Sequence, residues 1–274
     1  MKRHFSSFGF LAAVLIDLGI IIIHFATTTV PYGLGNEWLP WRQGEGAVFP
    51  LTLWNVWIGL SAGSGITEIF YYILPLIVCL PLAGSLLSDR KTGYINQIVI
   101  RSNTRGFLTA KCLATFACAA IIAATPLTID YIISACVLPM IQPVPTAATF
   151  PVFSYSLFGD LFYNNAHAYS LTYIALDAFF CGIVACLTIP LCTLFQNKFI
   201  GAFAPFCFGV ILLSTSNTYS IGSISPYQLL APYESAYVIP YEALIVYSTL
   251  LLLLVLFILL YPKYYYSEKH ALCQ

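Results

Sequence analysis

The stretch that decides the fold is residues 88–111, SDRKTGYINQIVIRSNTRGFLTAK, the longest strongly polar segment of an otherwise apolar chain. It contains five of the 11 basic residues. One apolar run enters it at residues 69–87, and another leaves it from Phe107 onward. The pattern predicts two membrane helices joined by a basic cytoplasmic loop, where a membrane domain meets something soluble.

The composition of the whole chain points to a membrane environment. Hydrophobic residues make up 59% of the 274 positions, charged residues make up 8%, and the mean hydropathy is +0.85. A soluble domain typically carries about 25% charged residues, so this chain has too few to cover a surface in water. We therefore expect an all-α integral membrane protein, because the long apolar runs lack the in/out alternation of barrel strands.

The apolar runs predict six transmembrane helices within a single domain, residues 1–274. Each run can cross a hydrocarbon core of about 30 Å, given a helical rise of about 1.5 Å per residue. We expect the first run to be a retained helix, because its length exceeds that of a signal-peptide core. The expected spans cover about residues 8–28, 65–87, 107–131, 169–195, 199–214 and 241–261, and an extension of the third to residue 140 stays open.

The basic residues predict the orientation. Ten of the 11 fall on one side of the six-span arrangement, and only Arg42 falls on the other. By the positive-inside rule, both termini are then cytoplasmic. The opposite side receives residues 31–64, which contain every tryptophan and are expected to lie along the outer interface or to re-enter it. It also receives residues 214–240, with a possible short helix between two prolines.

Ionisable residues inside the spans form one candidate site. Asp17 and His24 lie seven residues apart on the first span, and Asp177 lies on the fourth. A charge in lipid costs at least about 3 kcal/mol, so these groups should face protein or water, or be neutral. They are a candidate translocation path; the alternative is that they are hydrogen-bonded groups that tie helices together. Glu68 and Asp130, near the outer ends of spans, are expected to be solvated.

No motif predicts catalysis. The P-loop, zinc-protease, serine-hydrolase and dinucleotide-binding patterns are absent from the sequence. Eight of the nine cysteines lie inside apolar runs, and no Cys or His spacing suits zinc. We expect no catalytic residue, no metal site and no cofactor bound by this chain, and nothing in the charge pattern suggests nucleic acid as a partner.

The polar loop is the second candidate site. Residues 94–100, YINQIVI, can form a short amphipathic helix with charged groups on both sides, which a soluble partner can contact. The alternative is an ordinary positive-inside loop. The residues that give the loop its character are Asp89, Arg90, Lys91, Gly93, Tyr94, Arg101, Arg105 and Lys111.

The order of these residues resembles the first coupling-helix region of ABC-2-type ABC transporter permeases. In that family, charged groups and a glycine follow the end of the second helix. A short apolar stretch comes next, followed by two arginines and by a lysine at the start of the third helix. Residues 80–89, LPLAGSLLSD, are also similar. So is the plan of six spans with cytoplasmic termini. Asp89 stands where a glutamate is frequent in the family.

The resemblance implies a membrane-spanning permease subunit of an ATP-driven exporter in a bacterial plasma membrane. Its partners would be two cytoplasmic P-loop ATPase subunits and a second permease subunit, either the same chain or a sister. ATP and Mg²⁺ would be bound by the ATPase, so this chain would not itself be an enzyme. The ATPase-coupling residues implied by the resemblance are Asp89, Arg90, Lys91, Gly93, Tyr94, Arg101 and Arg105.

Two other classes of function stay open. One is an ATPase-independent secondary transporter or channel subunit, with Asp17, His24 and Asp177 as ion-coupling groups. The other is an intramembrane enzyme, or a sensor or immunity protein that transports nothing. An ATPase partner, ion-driven flux and the absence of flux are the observations that would distinguish the three.

Overall fold

The computed structural model describes residues 8–33, 51–94, 97, 104–145, 150–219 and 226–237, with 245, 248–250, 252–253 and 256–257 in the last apolar run. Within these ranges the chain is helical and contains no strand. Four of the helices are long and apolar enough to cross a membrane. The all-helical class is thereby confirmed, while most of the predicted sixth span lies outside the described residues.

The first apolar run forms a helix that changes its winding near one end. Helix α1 (Phe8–His24) continues into a single π-helical turn (Phe25–Thr29) and a short helix α2 (Val30–Gly33). The amide of Val30 donates to the carbonyl of Phe25, five residues back. A π turn holds one extra residue and often marks a functional position. One side of α1 carries exposed Leu and Ile side chains, which suit lipid rather than water.

The tryptophan-rich segment packs into the helix bundle. Its short helix α3 (Leu53–Val56) carries Trp54, and Trp57 follows directly. Both rings are buried. Each indole N–H donates to a backbone carbonyl, Trp54 to Ile141 at 3.0 Å and Trp57 to Leu127 at 3.1 Å. Residues 51–64 are therefore fixed against neighbouring segments instead of lying along a surface. The other two tryptophans fall outside the described residues.

The second apolar run is divided into two helices. We expected one helix over about residues 65–87, but α4 (Gly65–Cys79) ends before a turn and α5 (Ser85–Lys91) begins after it. Pro81 has no amide to donate to a continuing helix. Gly84 has φ +76°, and a Cβ there would lie 2.7 Å from Cβ of Lys198. The turn therefore requires glycine at this position, both for its backbone angle and for space.

The longest interface joins two long helices. Helix α6 (Thr104–Val137) runs uninterrupted through Pro126 and ends past residue 131, within the extension to residue 140 that the sequence left open. After a short helix α7 (Gly159–Asn164), helix α8 (Ala166–Phe195) packs along it. The ring of Phe116 on α6 packs over Gly182 on α8, where a Cβ would lie 2.6 Å from it. Small residues at helix interfaces are the usual means of close packing in membrane proteins.

A tight turn connects α8 to the next helix. Gln196 adopts a left-handed conformation after α8, and the Asn197 side chain accepts from the amide of Phe199 at 2.9 Å. Helix α9 (Lys198–Tyr219) then returns along α8 and α4. It is longer than the predicted span of about 199–214. Helix α10 (Pro226–Leu230) and a 3₁₀ turn (Pro232–Tyr237) follow, close to the short helix expected between the two prolines.

The long helices alternate in direction, which gives the bundle two ends. The loop end is defined by Pro81, Asp89 and Lys111, and the start of α1 lies there because a Cβ on Gly9 would be 3.1 Å from Pro81. The tryptophan end is defined by Trp57, His24 and Asp130. Helix α6 links the two, with Lys111 near one end and Asp130 near the other.

Candidate functional site

An ion pair closes the polar loop at its base. The Lys111 ammonium, two turns into α6, donates to the carboxylate of Asp89 on α5. Each side chain is only 7% exposed. The two residues are 22 positions apart, so the pair brings together the points where the loop leaves one helix and enters the next. The Asp89 carboxylate therefore faces Lys111 inside the bundle.

The residues that follow the ion pair turn the chain away from α5. The amide and hydroxyl of Thr92 both donate to the carbonyl of Ser88, at 3.0 Å each. Gly93 has φ +72°, the left-handed conformation in which glycine commonly ends a helix. Lys91 and Tyr94 are exposed, Tyr94 by 43%. Among the side chains described at the start of the loop, Lys91 and Tyr94 are thus presented at the surface.

The remaining residues of the predicted coupling surface are only partly described. Arg90 lies on α5, and Arg105 lies in the first turn of α6. Arg101 and most of the predicted short helix at residues 94–100 fall outside the described residues. The coupling helix therefore stays a prediction.

At the tryptophan end, a buried carboxylate joins three segments. Nδ1 of His24 lies 3.0 Å from Oδ1 of Asp130. The amide of Ile58 donates to Oδ2 of the same carboxylate at 2.8 Å. The expectation that Asp130 is solvated was wrong, because α6 continues past residue 131 and carries Asp130 inside the bundle. Its place in an otherwise apolar run was the sequence signal for this role.

The contacts around this carboxylate extend along the π turn. The hydroxyl of Thr29 lies 3.5 Å from that of Ser134, one turn beyond Asp130 on α6. The Trp57 indole donates to the Leu127 carbonyl, one turn before it. Contacts on three successive turns of α6 therefore hold α1 and residues 51–64 against it. These hydrogen bonds match the structural alternative that we kept open for His24.

The two carboxylates predicted at mid-span are both buried. Asp17 lies on α1 and Asp177 on α8, and each interacts electrostatically with the Cys181 thiol. Among the described residues, neither carboxylate has a hydrogen-bond partner. His24 is paired with a different residue, Asp130. The structure therefore does not gather the three predicted residues into a single cluster.

A large apolar cavity opens between helices. It has a volume of about 820 Å³ and lies between α4, α8, α9 and described residues of the last apolar run. We call it the lateral groove. Its walls are almost entirely hydrocarbon and aromatic. The sequence alone did not reveal it, because the groove depends on how four separate segments pack. Side chains and backbone that form its walls include Pro75, Val184, Leu191, Gly209, Leu213 and Leu250.

One part of the lateral groove is aromatic and acidic. The rings of Tyr72 and Tyr227, both in its wall, stack with centroids 4.2 Å apart and planes 14° from parallel. The hydroxyl of Tyr227 hydrogen-bonds that of Tyr233. Glu68 and Glu234 both lie within electrostatic range of the stacked rings. Burial, and then the charge of Glu68, raise the pKa of Glu234 above its ordinary value.

Within the described residues, neither carboxylate beside the stacked rings is paired with a cation. Lys111 pairs with Asp89 and His24 hydrogen-bonds Asp130 there, and no ion pair involves Glu68 or Glu234. The described surroundings of the groove therefore offer two carboxylates and no partner cation for them.

Comparison with protein-family models, with curated proteins and with solved structures finds no match to this chain.

Proposed function

We propose that this chain is the membrane-spanning permease subunit of an ATP-driven exporter of the ABC-2 type, coupled to separate P-loop ATPases through residues 89–105. The observation that carries the proposal is the buried ion pair between Asp89 and Lys111. A loop transmits force to helices only when its ends are held relative to them. This pair holds both ends, so a push on the loop would move α5 and α6 together.

The division of the second apolar run supports this mechanism. The turn at residues 80–84 separates α4 from α5, with Pro81 and a left-handed Gly84 inside it. Hinges in moving domains are commonly a few such positions that take up changes in backbone angle. In the proposal, α5 moves with the loop while α4 tilts about the turn, which opens the bundle alternately at its two ends.

The membrane arrangement belongs to the same proposal. It comprises six spans, both termini and the loop end on the cytoplasmic side, and a bacterial plasma membrane. The positive-inside distribution of the basic residues supports it. Arg90, Lys91, Arg101 and Arg105 would contact headgroups or acidic groups of the ATPase. ATP and Mg²⁺ would be bound by that partner, and a second permease subunit would complete the translocation path.

The test is affinity purification of the full chain from its native host in mild detergents, followed by mass spectrometry and an ATPase assay. We expect a P-loop ATPase to copurify, and we expect the double variant Arg101→Glu/Arg105→Glu to lose it. Lys198→Glu is the matched control, because it reverses an exposed charge at the loop end but outside the loop. Recovery of the chain without any ATPase in several detergents would overturn the proposal, as would equal recovery from the double variant and wild type.

A second candidate is an ATPase-independent transporter or channel driven by an ion gradient. The observation that favours it is the burial of Asp17 and Asp177 without hydrogen-bond partners among the described residues. Buried carboxylates in membrane helices commonly carry protons or cations. Proteoliposomes with a proton or sodium gradient and no ATP would then show flux that Asp17→Asn abolishes. Asp160→Asn, at an exposed carboxylate, is the matched control.

A further inference from the structure

The lateral groove has the dimensions and surface of a binding site for an apolar molecule. Its volume of about 820 Å³ falls in the range of about 300–1,000 Å³ that is usual for small-molecule sites. Its walls offer few polar atoms, so a hydrocarbon chain or ring system inside it would be desolvated without leaving buried groups unpaired. The helices that form it, α4, α8 and α9, all contact one another.

The charged groups described beside the groove are both carboxylates. Glu68 and Glu234 each interact electrostatically with the stacked rings of Tyr72 and Tyr227. Carboxylates attract a cation, and the faces of aromatic rings attract one as well. The same arrangement repels a sulfate, phosphate or carboxylate headgroup. Charge complementarity therefore selects the sign of the headgroup, while the walls select an apolar body.

We propose that the lateral groove binds an amphiphile that has an apolar body and a single cationic headgroup, with the headgroup between Glu68 and Glu234. The inference rests on the proposed function, for which it names the class of exported substrate. The apolar body would lie along α9, where Gly209 leaves the wall open, and the headgroup would lie against the rings of Tyr72 and Tyr227.

Two variants test the apolar part of the groove and its charged corner separately. Glu68→Gln/Glu234→Gln removes both charges and keeps the side-chain shapes. Gly209→Trp fills the groove, and nothing lies within 4 Å of a Cβ built on Gly209, so the backbone need not shift. Gly19→Trp is its matched control, because Gly19 is also open at its Cβ but lies on α1, outside the groove wall. Asp160→Asn is the control for loss of an exposed acidic charge.

The experiment is equilibrium binding of radiolabelled dodecyltrimethylammonium to the purified full chain in nanodiscs of zwitterionic lipid, with empty nanodiscs subtracted. Dodecyl sulfate and dodecyl maltoside serve as anionic and uncharged probes with the same chain. We expect saturable binding of the cation in clear preference to both. The double glutamine variant should weaken cation binding about fivefold to tenfold, the size of one or two exposed ionic or cation–π contacts. Gly209→Trp should abolish saturable binding, and both controls should bind as wild type does.

Equal binding of the three probes would overturn the inference, since the groove would then accept any alkyl chain whatever its headgroup. Unchanged cation binding in the double glutamine variant, or in Gly209→Trp, would also overturn it. The assay contains no ATPase, so it can fail or succeed independently of the proposed function. If an ATPase copurifies but the cation does not bind, only the proposed class of substrate is overturned. Cation binding without an ATPase partner would overturn the exporter proposal and leave the binding site.

Discussion

Lys111 on α6 donates to the carboxylate of Asp89 on α5, and this buried ion pair fixes the base of the polar loop. The pair joins two positions that are 22 residues apart in the sequence. With it, the end of α5 and the start of α6 form one unit at the loop end. The mechanical account of coupling depends on this relationship.

Lys111→Met should lower the free energy of unfolding by about 3–5 kcal/mol, because it leaves the Asp89 carboxylate buried without its cation. Lys198→Met, at an exposed position, should change it by less than about 0.5 kcal/mol. Denaturant titration in mixed micelles measures both. Similar small effects of the two substitutions would mean that the ion pair contributes little to the bundle.

Gly84→Ala and Gly106→Ala should have opposite effects on stability. At Gly84 the backbone is left-handed and a Cβ would press on Lys198, so we expect a loss of about 1–3 kcal/mol. Gly106 lies in helix α6 with open space around its Cβ, so alanine should add about 0.5–1 kcal/mol. The melting temperatures of the two variants in nanodiscs measure these changes in stability. A stable Gly84→Ala variant would argue against the turn at residues 80–84.

Asp130→Leu should loosen the tryptophan end. It removes the acceptor for the Ile58 amide and the partner of His24, both buried, at an expected cost of about 2–4 kcal/mol. Because Trp57 neighbours Ile58, tryptophan emission should shift to longer wavelength as residues 51–64 gain access to water. Asp160→Leu, at the exposed carboxylate, should leave the spectrum unchanged. An identical spectrum for the two variants would contradict the assigned role of Asp130.

Stability should fall with rising pH through the titration of Glu234. Its pKa is raised above 4.5 in the folded protein, first by burial and then by Glu68. The folded state therefore holds this proton more tightly than the unfolded state, and its advantage is lost as pH rises from about 4.5 through the raised pKa. Glu234→Gln should match wild type at about pH 4 and become progressively more stable than it at higher pH. Melting curves across this range provide the measurement, and parallel pH profiles would contradict the prediction.

The sequence predicted the parts of the fold that depend on long apolar runs. Helix α1 with the π turn after it, and helices α6, α8 and α9, cover four of the six predicted spans, since a run of about 20 apolar residues has few alternatives to a helix in a membrane. The sequence predicted the second apolar run less well. Pro81 is compatible with both a kinked and an interrupted helix, and the left-handed Gly84 packed against Lys198 accounts for the interruption.

The candidate sites, too, were predictable from the sequence only where they depend on local pattern. Asp89 and Lys111 were recognised as marking the two ends of the loop, but their ion pair needs the three-dimensional approach of α5 and α6. Asp130 was misjudged because its burial depends on where α6 ends, and an apolar run does not define its last residue closely. The lateral groove is formed by residues from four segments, so no local sequence pattern predicts it.

The most direct test of the central claim is site-specific photo-cross-linking from the loop in intact host cells. A benzophenone amino acid at Tyr94, an aromatic position that is already exposed, should give an adduct that contains a P-loop ATPase. The same group at Tyr155, which is 76% exposed but lies far from the loop in sequence, on the segment that precedes α7, should give none. Absence of an ATPase adduct at Tyr94, or the same adduct from both positions, would contradict coupling through this loop.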